Sequence, residues 1–180
     1  MRTERARLRA AGRAAITAAV LLLAWPRGAP AQRLDVPLVR QTPQHCGPAA
    51  LQMVMGYYGA DSSALREAER AYDPALGGAL ITDLAAAARR AGFPAEVATL
   101  GEREVIALLR SGVPPILLYQ NGRPPITVPH FGVVVAWDSA GDGFTLHDGG
   151  PKPRRVTRET LLARWRTAGN QALIVRRRAP

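Results

Sequence analysis

The chain is short of the residues that staple or metallate small folds: it has one cysteine, Cys46, and three histidines, His45, His130 and His147. A lone cysteine excludes an internal disulfide. In an oxidising compartment it is buried and inert, paired with another chain, or kept as a reactive thiol, and the count alone does not choose. Cys46 and the histidines lack the local spacing of a zinc site, so no metal and no other cofactor is expected. The apolar stretch Ala14 to Trp25 falls short of the roughly 20 residues a membrane-spanning helix needs. No stacking platform or groove-reading motif accompanies the net charge of +10, so nucleic acid is not an expected partner. Internal repeats and low-complexity linkers are also missing.

What is present fits one folded domain. The apolar fraction of 47% supports a core, while 17 glycines and 15 prolines promise many turns. Residues 1–31 read as an export signal, with Arg2, Arg5, Arg7, Arg9 and Arg13 ahead of the apolar stretch and Ala29-Pro30-Ala31 behind it. The expected mature domain is 32–180, periplasmic or secreted, with no stable membrane insertion after cleavage. It keeps 18 basic and 13 acidic residues, a net +5, part of which is the solvated run Arg176 to Arg178.

Hydrophobic spacing orders the elements. Val36 to Val39 predicts a short edge strand. Leu51, Val54, Met55 and Tyr58 give one apolar helix face from Cys46 onward, ended by Gly59. Asp61 or Ser62 caps a second helix and Thr82 a third, which runs from Asp83 to Ala91. A strand at Ala95 to Ala98 and a helix at Glu102 to Leu109 follow. Then come β-type runs at Ile116 to Tyr119, Phe131 to Trp137, Phe144 to Asp148 and Ala172 to Arg176, interrupted by a helix from Thr157 to Trp165. Helices first and strands after predict an α+β fold, a helical half packed on an antiparallel sheet, with a site in the cleft between them.

The segment from Gln41 to Gly59 places the Cys46 thiol at a helix N-terminus, where free N–H groups and the helix dipole favour the thiolate. Gly47 is expected to leave room for an approaching substrate. Of the bases on offer, His45 diverges from its neighbour Cys46, and His147 has the wrong strand parity. His130 opens an apolar strand after Val128-Pro129. A hairpin turn centred near Ser139 sets residue 130 opposite residue 148, so the Asp148 carboxylate is expected beside the imidazole, holding its tautomer. Asp138 and Asp142 belong to the turn. For the oxyanion, Gln41 and the Cys46 N–H are the candidate donors, with Gln44 ranked second. Asn121 to Pro125 is expected to be a loop at the cleft rim.

These pieces resemble the bacteriocin-processing, double-glycine leader peptidases and their wider relatives among papain-like cysteine peptidases. The pieces are Gln41, Cys46-Gly47-Pro48-Ala49-Ala50-Leu51, Tyr57-Tyr58-Gly59, Pro129-His130-Phe131 and Asp148. The resemblance implies a papain-like fold, catalysis by Cys46, His130 and Asp148, and Gln41 in the oxyanion hole. An export signal ahead of the domain is unlike the members fused to a membrane exporter, so the substrate is not carried over beyond a peptide or protein. Two other functions fit the same residues: an acyl transferase or amidase, and a non-catalytic peptide-binding module.

Overall fold

The computed structural model describes residues 33–178, so the export-signal reading lies outside the described residues. Helix α1 (Cys46–Tyr57) is buried over Gly47 to Leu51 and Met53 to Met55, a wider apolar surface than a single stripe, as befits a helix enclosed by other elements. Gly59, at φ +78°, turns the chain after it. Asp61 caps α2 (Ser62–Glu69) by accepting from the Ala64 N–H at 2.8 Å. In α3 (Ile81–Arg90) the N-cap is Leu80 and Thr82 lies inside the first turn, so the expected threonine cap does not form.

Strand β1 (Ala95–Thr99) and helix α4 (Glu102–Arg110) complete the first half. Strands β2 (Ile116–Arg123), β3 (Ile126–Asp138), β4 (Gly143–His147) and β5 (Arg154–Thr157) follow, then α5 (Arg158–Arg166) and β6 (Gln171–Val175). The sheet has six strands in the order β1-β6-β2-β3-β4-β5, and every neighbouring pair is antiparallel. Helix α1 packs on β3, α3 on β1 and β6, and α5 on β2, β4 and β5. Burial of Phe131 through Ala136 shows β3 covered on both faces, which is why that stretch reads as a continuous apolar run. The fold is the expected α+β one.

Four local expectations change. Val36 to Val39 forms no strand, although the Leu34 N–H reaches the Val135 carbonyl at 2.8 Å just upstream. Asn121 to Arg123 belongs to the β2–β3 ladder, which continues to the pair Arg123↔Ile126, so the expected loop shrinks to a turn at Pro124-Pro125. Strand β5 was not anticipated. The β3–β4 register pairs Val133 with His147 and Val134 with Leu146, and a bulge intervenes before Ala136. Relative to a ladder joining 130 with 148, the strands have slipped by two residues on the His130 side of the bulge and by three on the turn side. Because side chains alternate with a period of two, the even slip keeps the expected faces near His130.

Candidate active site

Three parts of the fold converge beside the middle of the sheet. Helix α1 presents Cys46 at its first position, β3 presents His130 and the chain leaving β4 presents Asp148. The segment before α1 is tied to the last of these by a Gln41 N–H to Gly149 carbonyl bond of 3.1 Å. Gly47 has no space to spare: a Cβ there would lie 3.1 Å from Leu84, 3.2 Å from Ala79 and 3.2 Å from Phe131. Its small size serves close packing of α1 against these three side chains.

Cys46 is half-buried and lines the same cleft as His130, its neighbouring base. Burial pushes the thiol up. The His130 contact, the Phe131 main chain and the charge of His130 together outweigh that, so Cys46 is held below its ordinary value. His130 is 9% exposed, and burial disfavours its charged form. The hydrogen bond and charge of Cys46, followed by the Asp148 main chain and charge, reverse the balance and raise it. Opposite shifts in these two neighbouring groups move the pair toward thiolate–imidazolium.

His130 Nε2 lies 3.1 Å from the main-chain carbonyl of Asp148. A carbonyl only accepts, so Nε2 carries the proton and the neutral ring leaves its lone pair on Nδ1. The Asp148 carboxylate, expected on the imidazole, instead accepts from Arg154 Nε at 2.5 Å. The structure therefore brings Cys46, His130 and Asp148 together with the backbone of Asp148, not its side chain, on the ring.

Gln41 and Cys46 line the same cleft, and Gln41 Oε1 is buried with no partner among the described residues. Gln44, at φ +67°, has its amide oxygen occupied by the Tyr72 hydroxyl at 3.1 Å. His45 is engaged elsewhere: its Nδ1 lies 2.8 Å from the Pro43 carbonyl, and its ring stacks on Tyr72 with centroids 4.1 Å apart. His147 is 2% exposed, and both its ring nitrogens lack hydrogen-bond partners among the described residues. Asp138 binds Arg155 at 2.8 Å and turn amides, at the far end of the hairpin.

The cleft has a volume of about 820 Å³. Its rim includes Leu76, Leu80 and Val128, which are 58%, 52% and 57% exposed although apolar. Sequence reasoning missed this wall, because residues 76–80 carry no periodic pattern. It also missed Arg154 and Tyr119, since an arginine that follows two prolines at the start of a short strand and a strand tyrosine give no local signal.

Comparison with known proteins places this geometry. Residues 33–173 match the model of the Peptidase_C39 like family. No curated protein matches the chain. Among solved structures, the peptidase domain of Streptococcus ComA, an ABC transporter involved in quorum sensing, is 22% identical, with 78% of this chain and 98% of that one covered at a TM-score of 0.63. A double glycine motif protease from an AMS/PCAT transporter, solved with its leader peptide, is 21% identical, covering 83% and 94% at 0.62. A C39-like peptidase from Bacillus anthracis is 16% identical, covering 84% and 100% at 0.67. At these identities the likeness shows a shared fold, that of C39 cysteine peptidases. With the family match running from just before Gln41 to the last strand, the chain belongs to the Peptidase_C39 like family.

Proposed function

We propose that this chain is an exported cysteine peptidase that hydrolyses peptide bonds through Cys46, His130 and Asp148. The observation that carries the reading is a thiol at the N-terminus of a buried helix sharing one open cleft with an imidazole that is anchored on the Asp148 carbonyl, the thiol held low and the imidazole high. The Cys46 thiolate adds to the scissile carbonyl carbon. The Cys46 N–H and the Gln41 amide stabilise the oxyanion. Collapse breaks the C–N bond, His130 delivers its proton to the leaving amine, and a thioester remains on Cys46. Water, deprotonated by His130, then cleaves the thioester to a carboxylate and restores the thiol–imidazole pair. Export rests on the basic, apolar and small-residue pattern of residues 1–31.

The substrate is a peptide or protein segment that lies in the apolar cleft. The AMS/PCAT protease was solved with its leader peptide, which supports a peptide ligand for this fold. The test is labelling of purified protein by a thiol-directed, substrate-mimicking probe across pH, beside Cys46→Ala and His130→Ala. Labelling well below the pKa of a free thiol, lost in both folded variants, supports the peptidase. Slow labelling indifferent to His130 sinks it and favours a peptide-binding module. If instead an added amine intercepts the acyl group in preference to water, the acyl-transferase reading takes its place.

A further inference from the structure

Asp148 is held from two sides. Its carbonyl takes His130 Nε2 at 3.1 Å, while its carboxylate takes Arg154 Nε at 2.5 Å. The same guanidinium donates from Nη2 to the Tyr119 hydroxyl at 2.8 Å. Tyr119 stands directly opposite His130 in the β2–β3 ladder, and the two rings meet edge to face with centroids 5.5 Å apart and planes at 71°. His130, Asp148, Arg154 and Tyr119 thus form a closed circuit of contacts around the imidazole.

The surroundings fit a built arrangement. Tyr119 is 1% exposed, and Gly132 makes room for it: a Cβ there would sit 3.1 Å from Tyr119 Cε1 and 3.4 Å from its hydroxyl oxygen. Arg154 pairs with Leu146 in the β4–β5 ladder, which fixes its strand beside the chain leaving β4. The Asp148 side chain is 13% exposed, so its charge is shielded from water and needs a partner. A guanidinium supplies donors in a rigid planar fork, so it can hold a carboxylate and a hydroxyl in one geometry, where an ammonium offers a point charge.

We propose that Arg154 is a positioning residue of this site: by joining the Asp148 carboxylate to the Tyr119 hydroxyl, it fixes the Asp148 carbonyl and the Tyr119 ring that set the plane and tautomer of His130. The inference rests on reading Cys46 and His130 as nucleophile and base. Asp148 then serves the imidazole through its main chain, and its carboxylate acts through Arg154. The titratable and charged groups facing His130 are Cys46 from α1, Tyr119 from β2, Asp148 after β4 and, through these, Arg154 from β5. Burial pushes Tyr119 up to about 12, so its hydroxyl stays neutral and keeps accepting from Arg154.

The experiment compares wild type with Arg154→Met, Arg154→Lys, Tyr119→Phe and His130→Ala. Two readouts are used: the pH profile of Cys46 alkylation by iodoacetamide, and the ¹⁵N imidazole signals of His130, which report its tautomer. Arg154→Met is expected to lose the Nε2–H tautomer preference and to lower alkylation at acidic pH by roughly 10- to 100-fold, the range known for removing the outer hydrogen-bond partner of a metal-ligating histidine or carboxylate. Arg154→Lys should recover part of that loss, and Tyr119→Phe should show the same tautomer change more weakly. A folded Arg154→Met with unchanged profile and tautomer overturns the proposal, as does one that alkylates faster. If Arg154→Met fails to fold, Tyr119→Phe decides, since it leaves the Arg154–Asp148 pair in place: an unaltered tautomer there also overturns it. Wild-type alkylation that ignores His130→Ala overturns the peptidase reading itself, a result separable from failure of the Arg154 variants alone.

Discussion

Gly149, at φ +80°, abuts the Gln41 side chain so closely that a Cβ there would collide with the Gln41 amide. The glycine does two things: it takes a backbone conformation other residues rarely adopt, and it vacates the space the amide fills. Gly149→Ala should therefore displace Gln41 as well as strain the loop. Active-site titration with a peptide substrate is expected to show kcat reduced for both Gly149→Ala and Gln41→Ala. For Gln41→Ala the loss should be on the order of 10²-fold, typical of one oxyanion donor. A Gln41→Ala enzyme with unchanged kcat would leave the Cys46 N–H and other groups to do that work.

The pH profile follows from the two opposed shifts. Cys46, held low, is charged above its folded pKa, and His130, held high, is charged below its own. Alkylation of Cys46 should begin below the ordinary thiol range, and hydrolysis should trace a bell whose limbs belong to the pair and not to either residue alone. In stability terms, the raised His130 contributes stability below its unfolded value that disappears as pH climbs through its folded value. The lowered Cys46 contributes stability above its unfolded value that disappears as pH falls through its folded one.

His147 behaves in the opposite sense to His130. Burial, then the charge of Arg33, lowers it, and the nearby Pro37 main chain offsets this only in part. The unfolded chain accepts a proton near 6.5, the ordinary histidine value, where the folded chain refuses it. The folded state thus loses stability as pH falls from about 6.5. Replacing His147 with Leu should flatten that acid limb in denaturant titrations at several pH values, while alkylation of Cys46 keeps its profile. An acid limb unchanged in His147→Leu would assign it to other groups.

Crowding at Gly47 predicts a stability cost. An added methyl must push back Leu84, Ala79 and Phe131, which stand 3.1–3.2 Å from where its carbon would lie. Gly47→Ala should lower unfolding free energy by about 1–3 kcal/mol, the cost of overpacking, measured by urea denaturation. Unchanged stability would show that the cleft side of α1 yields more readily than its packing implies.

The exposed leucines of the cleft predict binding effects without chemical ones. Leu80 lies on the rim and touches neither Cys46 nor His130 by any described bond, yet it offers apolar surface to whatever fills the cleft. Leu80→Asp is expected to raise KM for a peptide carrying an apolar side chain while leaving kcat nearly as it was, the signature of lost uniform binding. Equal loss in both constants would implicate the rim in aligning the scissile bond.

Much of this protein follows from local rules. The apolar periodicity after Cys46, the Asp61 cap and the short β-type runs in the second half each act over a few residues, so they sufficed for the α+β class and for Cys46 at a helix start. The parity of strand residues separated His130 from His147 for the same reason. What local rules did not contain is the register slip of the β3–β4 hairpin, set by a turn that closes at the pair Asp138↔Gly143 and by a bulge after Val134 that takes one residue back. Strand β5 was also beyond them. It brings Arg154 to Asp148, so that the carboxylate turns to a guanidinium six residues along and the carbonyl faces the imidazole. A carboxylate can meet any cation that the fold puts within reach, and strand order, not spacing along the chain, decides which one. Residue type and spacing are enough for the element types, the thiol at the helix N-terminus and the faces of the strands. The meeting of Gln41, Asp148, Arg154 and Tyr119 comes from the folded arrangement, because those contacts join segments whose separation no periodicity encodes.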